Sequence, residues 1–507
     1  MQKYKHLHKE RHKTQEFCTF AAAKMSTTEQ SDIRATSRSS KFIKDIGIYA
    51  IGNIGSKLIT FLMVPLYTYF LPNKSDFGYY DVCLSMCFLL IPFVTLQMRD
   101  GAFRFLLDCD DETRRQRIVT FVNRSMLTTL SLASLVAVAL MLTTNIGYLG
   151  YCLGLLIALS LQEVYSQVFR GLGNNRAFVI VGILSAFFIG LFSVIFVAGF
   201  GWGIKGVFLA NIAARVVALA AVEARVRLIT SNTRWSLSVR EVGRDLLRYT
   251  LPLLPGSLCW WLTGSSDRQF IKFFLGLDVN GLYAVATRYT GIIMTLAIIF
   301  YQAWQETAIL QYHSPDRNRF FSKMFNGYIF LLSAILVGYV FLLKVFYGLL
   351  TAEPYQESLN YIYPLGVSAV IFAIAAFFDM GYQCAKDTPR TLPAIVLAAI
   401  VNVVLNFALI KPFGVYGVIA TQIITYIVLV IYRWHDMKRY FILRLEKRTL
   451  LPVMVVLACS LPFYLSHNKF IDVAVMIAAI ALITWPVRGE LLELWRSKIA
   501  KTHEATK

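Results

Sequence analysis

Acidic residues are scarce in this 507-residue chain, with 30 Asp and Glu against 50 Lys and Arg, and all charged residues together make up only 16%. With 57% hydrophobic residues and a mean hydropathy of +0.56, the chain is too apolar for a soluble protein built on one core. Cysteines number eight (Cys18, Cys83, Cys87, Cys109, Cys152, Cys259, Cys384 and Cys459) and include no CxxC pair, which argues against a cluster or a disulfide framework. Of seven His, three (His6, His8, His12) sit in a polar N-terminal stretch where chance clustering explains them, so no metal is expected. Nucleophile elbows, P-loops, HExxH and dinucleotide fingerprints are missing. The glycine-rich GLGNN (171–175) and GFGWGIKG (199–206) each join two apolar runs and read as turns. No inserted soluble domain breaks the pattern, and the longest connection lies around Arg225–Arg248. A membrane polymerase or glycosyltransferase would lack the extramembrane platform for its catalytic groups, so an enzyme is not expected.

What is present is a series of about fourteen apolar runs, each about 20 residues and long enough to cross about 30 Å of hydrocarbon as helix. They lie near 45–70, 77–98, 118–143, 148–169, 177–199, 203–224, 249–275, 281–304, 324–347, 358–382, 391–410, 414–433, 449–466 and 469–487. If the N-terminus is cytoplasmic, most Lys and Arg fall on cytoplasmic connections, such as Arg114, Arg115 and Arg117. Lys74, Lys205, Lys344, Lys411 and Lys469 fall on the far side. That asymmetry predicts both termini inside. It also makes the net charge of +20 a topology signal, not a nucleic-acid footprint. The basic segment before the first run is expected to be a disordered tail, or an upstream extension of a chain that starts at Met25.

Two stretches recur. FRGLGNNRAF, a run, then GFGWGIKGVFLANIAARV is echoed by YQCAKDTPRTL, a run, then KPFGVYGVIATQIITYI. Each has a G-x-x-G turn (Gly203 and Gly206; Gly414 and Gly417) and a polar residue further on, Asn211 or Gln422. FLPNKSDFGYYDV (70–82) is echoed by FLGLDVNGLYAV (274–285). The expectation is an all-α integral membrane protein of two six-helix repeats, related by a pseudo-twofold axis along the membrane normal, plus two C-terminal helices. Its divisions would be a basic tail (1–44), an N-terminal bundle (45–224), a cytoplasmic connector (225–248), a C-terminal bundle (249–433), two added helices (434–487) and a tail (488–507).

Over essentially its whole length the chain resembles the Wzx-type polysaccharide flippases of the multidrug/oligosaccharidyl-lipid/polysaccharide (MOP) exporter superfamily. The resemblance rests on the run pattern together with IGNIGSKLITFLMVPLYTYFL, LPNKSDFGYYDV, QMRDGAFRFLLD, QVFRGLGNNRAF and FYQAWQETA in that order. It implies movement of an undecaprenyl-pyrophosphate-linked oligosaccharide from the cytoplasmic to the periplasmic leaflet of a bacterial inner membrane, for O-antigen, capsule or exopolysaccharide. A polysaccharide polymerase and assembly proteins are the implied partners. A cation-coupled drug antiporter of the same superfamily and a lipid II flippase are the alternatives.

Charges inside the runs carry the site expectation, because a charge at membrane depth faces water or a partner. Lys57, Arg268 and Arg288 are expected to meet the diphosphate of the cargo, with Arg215 and Lys272 as further contacts, since arginine grips phosphate in bidentate fashion. Arg99, Asp100 and Arg104 read as a cytoplasmic entry gate. Asp267 and Asp379 are candidates for coupling to Na+, H+ or the membrane potential, and Asp267 is also a candidate partner of Arg288. Gln97, Gln302, Gln305, Asn402 and Asn406 offer hydrogen bonds to sugar or between helices. Pro65, Pro92, Pro252, Pro255 and Pro364 predict bends that let one bundle rock against the other.

Overall fold

A computed structural model describes residue 59 and residues 61–107, 109–144 and 147–488. Among these the chain is helical throughout. An N-terminal group comprises α1 (Phe61–Phe70), α2 (Lys74–Val94), α3 (Met98–Leu107), α4 (Glu112–Thr143), α5 (Leu149–Gly171), α6 (Asn175–Ser193, prolonged by a π-helical turn at Val194–Gly199) and α7 (Gly203–Val226). Short α8 (Leu228–Asn232) and α9 (Arg240–Thr250) lead to a C-terminal group. This holds α10 (Leu254–Gly264), α11 (Asp267–Phe274), α12 (Leu277–Gln311), α13 (Arg317–Leu350), α14 (Leu359–Phe377), α15 (Asp379–Cys384) and α16 (Thr391–Met437). Two more helices follow, α17 (Leu450–Leu465) and α18 (Lys469–Thr484). Polar side chains set several starts: Asn73, Asp111, Asn174 and Asn468 each accept from backbone N–H groups of the helix they precede. Such caps contribute about 1 kcal/mol each.

Ten helical stretches among the described residues are long and apolar enough to cross a membrane. The difference from the fourteen apolar runs has local causes. Most of the first run lies outside the described residues. The run at 249–275 is broken into α10 and α11 at Ser265, after a 3-10 turn at Leu251–Leu253 that contains Pro252. The runs at 391–410 and 414–433 are two helices joined by a sharp kink at Gly414 (φ 58°, ψ −135°) and carry one label, α16, and α18 has only 16 residues. The second run also breaks. Pro92 supplies no donor in the last turn of α2, and Leu96 and Gln97 take φ of 52° and 54° before α3 starts. The freed carbonyls of Ile91 and Pro92 are recovered by the N–H groups of Thr95 and Gln97, both at 2.8 Å.

The two echoed G-x-x-G turns share a geometry. Gly203 and Gly414 have φ of 54° and 58°, a backbone that favours glycine. Three residues on, a Cβ on Gly206 would stand 2.9 Å from the Phe196 carbonyl oxygen, and one on Gly417 2.1 Å from that of Leu409. Each pair of glycines thus lets a helix fold back against the one before it. In α16 this brings Asn406 and Gln422 to the same carboxylate, which a straight helix would hold about 24 Å apart at 1.5 Å per residue.

Glycine also sets the tightest crossing between the two groups. A Cβ on Gly78 of α2 would lie 2.1 Å from the Leu277 carbonyl oxygen, and a Cβ on Gly281 of α12 would lie 2.2 Å from that of Lys74. The contact is reciprocal, and Asn280 donates to the Gly78 carbonyl at 2.9 Å across it. Other links gather at this end: Tyr355 donates to the Leu71 carbonyl (2.7 Å), Tyr69 to that of Leu349 (3.2 Å), and the Phe77 and Tyr355 rings meet edge-on. On another flank, Lys344 of α13 donates to Asp472 (2.8 Å) and to the carbonyls of Phe463 and Ser466, both at 2.7 Å. Three acceptors satisfy the ammonium, and the added pair α17–α18 is held to α13.

Because no side chain fits the α2–α12 crossing, Gly78→Ala and Gly281→Ala each lower the thermal unfolding midpoint of the purified protein by several degrees, an overpacking cost of about 1–3 kcal/mol. Gly291→Ala, on the same α12 with open space at its Cβ position, leaves the midpoint unchanged.

Candidate functional site

Below that crossing the two groups meet through charge. Asp81 of α2 is 6% exposed at its side chain and accepts from Arg268 Nε of α11 at 2.9 Å. Its other oxygen stands 3.9 Å from Arg288 Nη2 of α12. Two guanidiniums therefore share one carboxylate, and the cluster keeps a net positive charge. Aromatic faces replace part of the lost hydration. The Arg288 guanidinium lies 4.6 Å from the Phe77 ring centre, 5.5 Å from Tyr80 and 5.9 Å from Tyr67. That of Arg268 lies 5.7 Å from Tyr283.

The expected pairing of Asp267 with Arg288 is not what the structure contains. Asp267 is wholly buried and takes hydrogen bonds from Tyr283 OH (3.1 Å), Asn406 Nδ2 (3.2 Å) and Gln422 Nε2. Arg268, its sequence neighbour, points to the other side of α11 because adjacent helical residues are about 100° apart. Around the carboxylate, Asn406 also donates to Asn402 Oδ1 (3.0 Å) and Gln422 accepts from Ser368 (3.1 Å). The Asn402 amide nitrogen and the Asn406 carbonyl oxygen are buried without a hydrogen-bond partner. Asn402 and Asn406 thus serve contacts between helices.

The remaining candidates are dispersed. Arg215 donates within α7 to Asn211 O (2.7 Å) and Asn211 Oδ1 (2.9 Å). Lys272 is exposed on α11. Lys57 lies outside the described residues. Arg99 is half exposed, 3.3 Å from Glu163 of α5 and 3.9 Å from Asp100, while Asp100 accepts from Gln97 at 2.6 Å; Arg104 follows on α3. Such exposed pairs are worth little on their own. Asp379, at the start of α15, pairs with the buried Arg433 of α16 at 3.0 Å. A groove of about 740 Å3 lined by Asn123, Leu130, Tyr165 and Trp235 lies elsewhere, beside α4 and α5.

The described residues form a polytopic helical bundle in which buried charge bridges two helix groups. The family of polysaccharide biosynthesis proteins matches residues 42–305, more than half of the chain, and the protein belongs to that family. No curated protein matches. Among solved structures, the lipid II flippase MurJ in an inward closed conformation aligns with a TM-score of 0.68 at 13% identity, covering 88% of this chain and 99% of its own. An inward-facing multidrug resistance MATE family transporter of the MOP superfamily aligns with a TM-score of 0.61 at 12% identity, covering 77% and 98%. The fold is shared with these two transporters.

Removing one partner of a buried pair strands the other charge, at about 3–5 kcal/mol. Asp81→Ala and Arg268→Ala are therefore each expected to lower the unfolding midpoint clearly, and the double variant by less than the sum. A double-mutant cycle that came out additive would mean the pair contributes no coupling.

Proposed function

We propose that this protein moves an undecaprenyl-pyrophosphate-linked oligosaccharide from the cytoplasmic to the periplasmic leaflet by alternating access, for O-antigen, capsule or exopolysaccharide assembly. The observation that carries this reading is the cationic Asp81–Arg268–Arg288 cluster at membrane depth between two helix groups. An isolated diphosphate is prohibitively costly to take through hydrocarbon, and guanidiniums replace its hydration by charge-assisted hydrogen bonds. In the empty carrier Asp81 occupies the place of the phosphate. Cargo competes for the same two arginines, and when it wins, one tie between the helix groups is released.

The topology belongs to the same proposal: fourteen spans as two six-helix repeats (45–224 and 249–433) with two added helices, and both termini in the cytoplasm. The reciprocal Gly78–Gly281 contact and the matching Gly203 and Gly414 turns support the duplication. The charge asymmetry puts Lys74, and with it the tight crossing, on the periplasmic side. The carrier is then closed to the periplasm, with Arg99, Asp100 and Arg104 at the cytoplasmic entry. Asp267, caged by amides from α16, is the candidate for ion coupling. Asp379 is a weaker one, because Arg433 already neutralises it.

Proteoliposomes carrying an undecaprenyl-diphosphate oligosaccharide test the reading, with the lipid's leaflet followed over time. Wild type is expected to move the lipid, and Arg268→Ala and Arg288→Ala to slow it at least tenfold at matched reconstitution. Movement in both variants at the wild-type rate would return the arginines to a structural role. Movement of lipid II alone would favour the lipid II flippase, whose cargo has the same diphosphate chemistry. In the same vesicles a sodium or proton gradient should accelerate wild type but not Asp267→Asn. A wild-type rate indifferent to both gradients would remove Asp267 from coupling.

A further inference from the structure

On the opposite side of the charged cluster from the glycine crossing, α12 and α15 carry a chain of polar side chains that the diphosphate reading does not use. Gln305 Nε2 donates to Gln383 Oε1 at 2.6 Å, and Gln383 Nε2 donates to the Tyr301 hydroxyl at 2.9 Å. The direction of these bonds fixes what remains at the ends. Tyr301 accepts and keeps its own proton to donate, and Gln305 keeps its carbonyl oxygen to accept. Among the described residues neither free end meets another protein group. Asp379 lies one turn before Gln383 on α15. Arg433 is 1% exposed, donates to the Ala375 carbonyl at 2.8 Å and pairs with Asp379.

Tyr301, Gln305, Gln383 and Asp379 are all partly exposed. Tyr301 lies about 15 Å in from the end of α12 at Gln311, taking 1.5 Å per residue. Gln305 and Gln383 stand just past the ends of the apolar runs 281–304 and 358–382, with Tyr301 and Asp379 about one turn inside, so their open valences meet water at that end of the bundle. The open stripe of α12 runs from Thr287 through Gly291, Met294 and Ile298 to Tyr301 and Gln305. Arg288 lies beside the start of this stripe, about 20 Å from Tyr301 along the axis. An oligosaccharide of a few rings, attached to a diphosphate at Arg288, spans that distance.

We propose that Tyr301, Gln305 and Gln383 form a sugar-recognition subsite for neutral, hydroxyl- and acetamido-bearing rings remote from the diphosphate. The inference rests on the flippase reading above. Its chemistry is a fixed donor and a fixed acceptor, both pre-oriented by one relay, which suits vicinal hydroxyls or an acetamido group.

The test is equilibrium binding to the full chain in nanodiscs with two probes. One is undecaprenyl diphosphate carrying a single N-acetylhexosamine; the other carries a neutral tetrasaccharide that begins with the same sugar. Wild type should bind the tetrasaccharide lipid at least tenfold more tightly. Tyr301→Phe and Gln305→Leu, with unfolding midpoints matched to wild type, should lose about that tenfold and bind the single-sugar lipid as before. Arg268→Ala should weaken both lipids alike. The subsite is overturned if the added sugars give wild type no affinity, if the two variants weaken both lipids equally, or if they weaken neither. Failure of wild type to bind either lipid would overturn the flippase reading itself, and the subsite with it.

Discussion

Burying Asp81 against Arg268 and Arg288 constrains the molecule more than any other contact, because ionised groups at membrane depth are tolerated only when paired or hydrated. The carboxylate comes from α2 and both guanidiniums from the C-terminal group. Neither group can satisfy its charges alone. The surrounding rings of Tyr67, Phe77, Tyr80 and Tyr283 are part of the same solution, since they offer negative faces where solvent is thin. In the proposed carrier the second guanidinium, sharing a carboxylate that Arg268 already holds, is what makes the cluster receptive to an anion.

Much of this was legible in the sequence, and the exceptions have physical causes. Arg268 and Arg288 stand out as charges in apolar runs, and they do converge. Asp81, in FGYYDV, does not stand out, because a carboxylate near the start of a run reads as part of the turn. The echo that aligns Gly78 with Gly281 puts Ala284 opposite Asp81, and that mismatch was the available signal. Asp267 meets Tyr283 and two amides instead of Arg288, because sequence spacing carries no information on which face of a short, broken helix a residue occupies. The backbone breaks at Ser265 and Gly414 come without a change in hydropathy to mark them. Lys344 was read only as a far-side topology charge, whereas three acceptors hold it. Those acceptors lie more than 100 residues away in sequence, beyond any local pattern.

The echoing turns have been put to opposite electrostatic use. After Gly206, Asn211 holds the cation Arg215; after Gly417, Gln422 holds the anion Asp267. Both amides sit at similar offsets past the same kind of tight turn, and an amide can serve either sign because it presents both a donor and an acceptor. A fold-back helix with a polar residue at that place is thus a reusable cradle. The charge it cradles is what differs between the two groups, and the acidic version in the C-terminal group is the one enclosed on all sides.

The glycine crossing and the ion pair lie on the same two helices, which ties closure to charge. Gly78 precedes Asp81 by less than one turn of α2, and Gly281 precedes Arg288 by about two turns of α12. Helices this rigid do not let Arg288 draw away from Asp81 while Lys74 and Leu277 carbonyls stay in contact with glycine. An anion that takes the arginines from Asp81 removes the attraction holding the lower part of α2 to α11 and α12. The crossing above is then left to glycine packing and the Asn280 hydrogen bond. Such a contact is worth a few kcal/mol at most, within reach of thermal opening. In the proposed carrier the empty state keeps both ties and stays shut, and the loaded one keeps only the weaker.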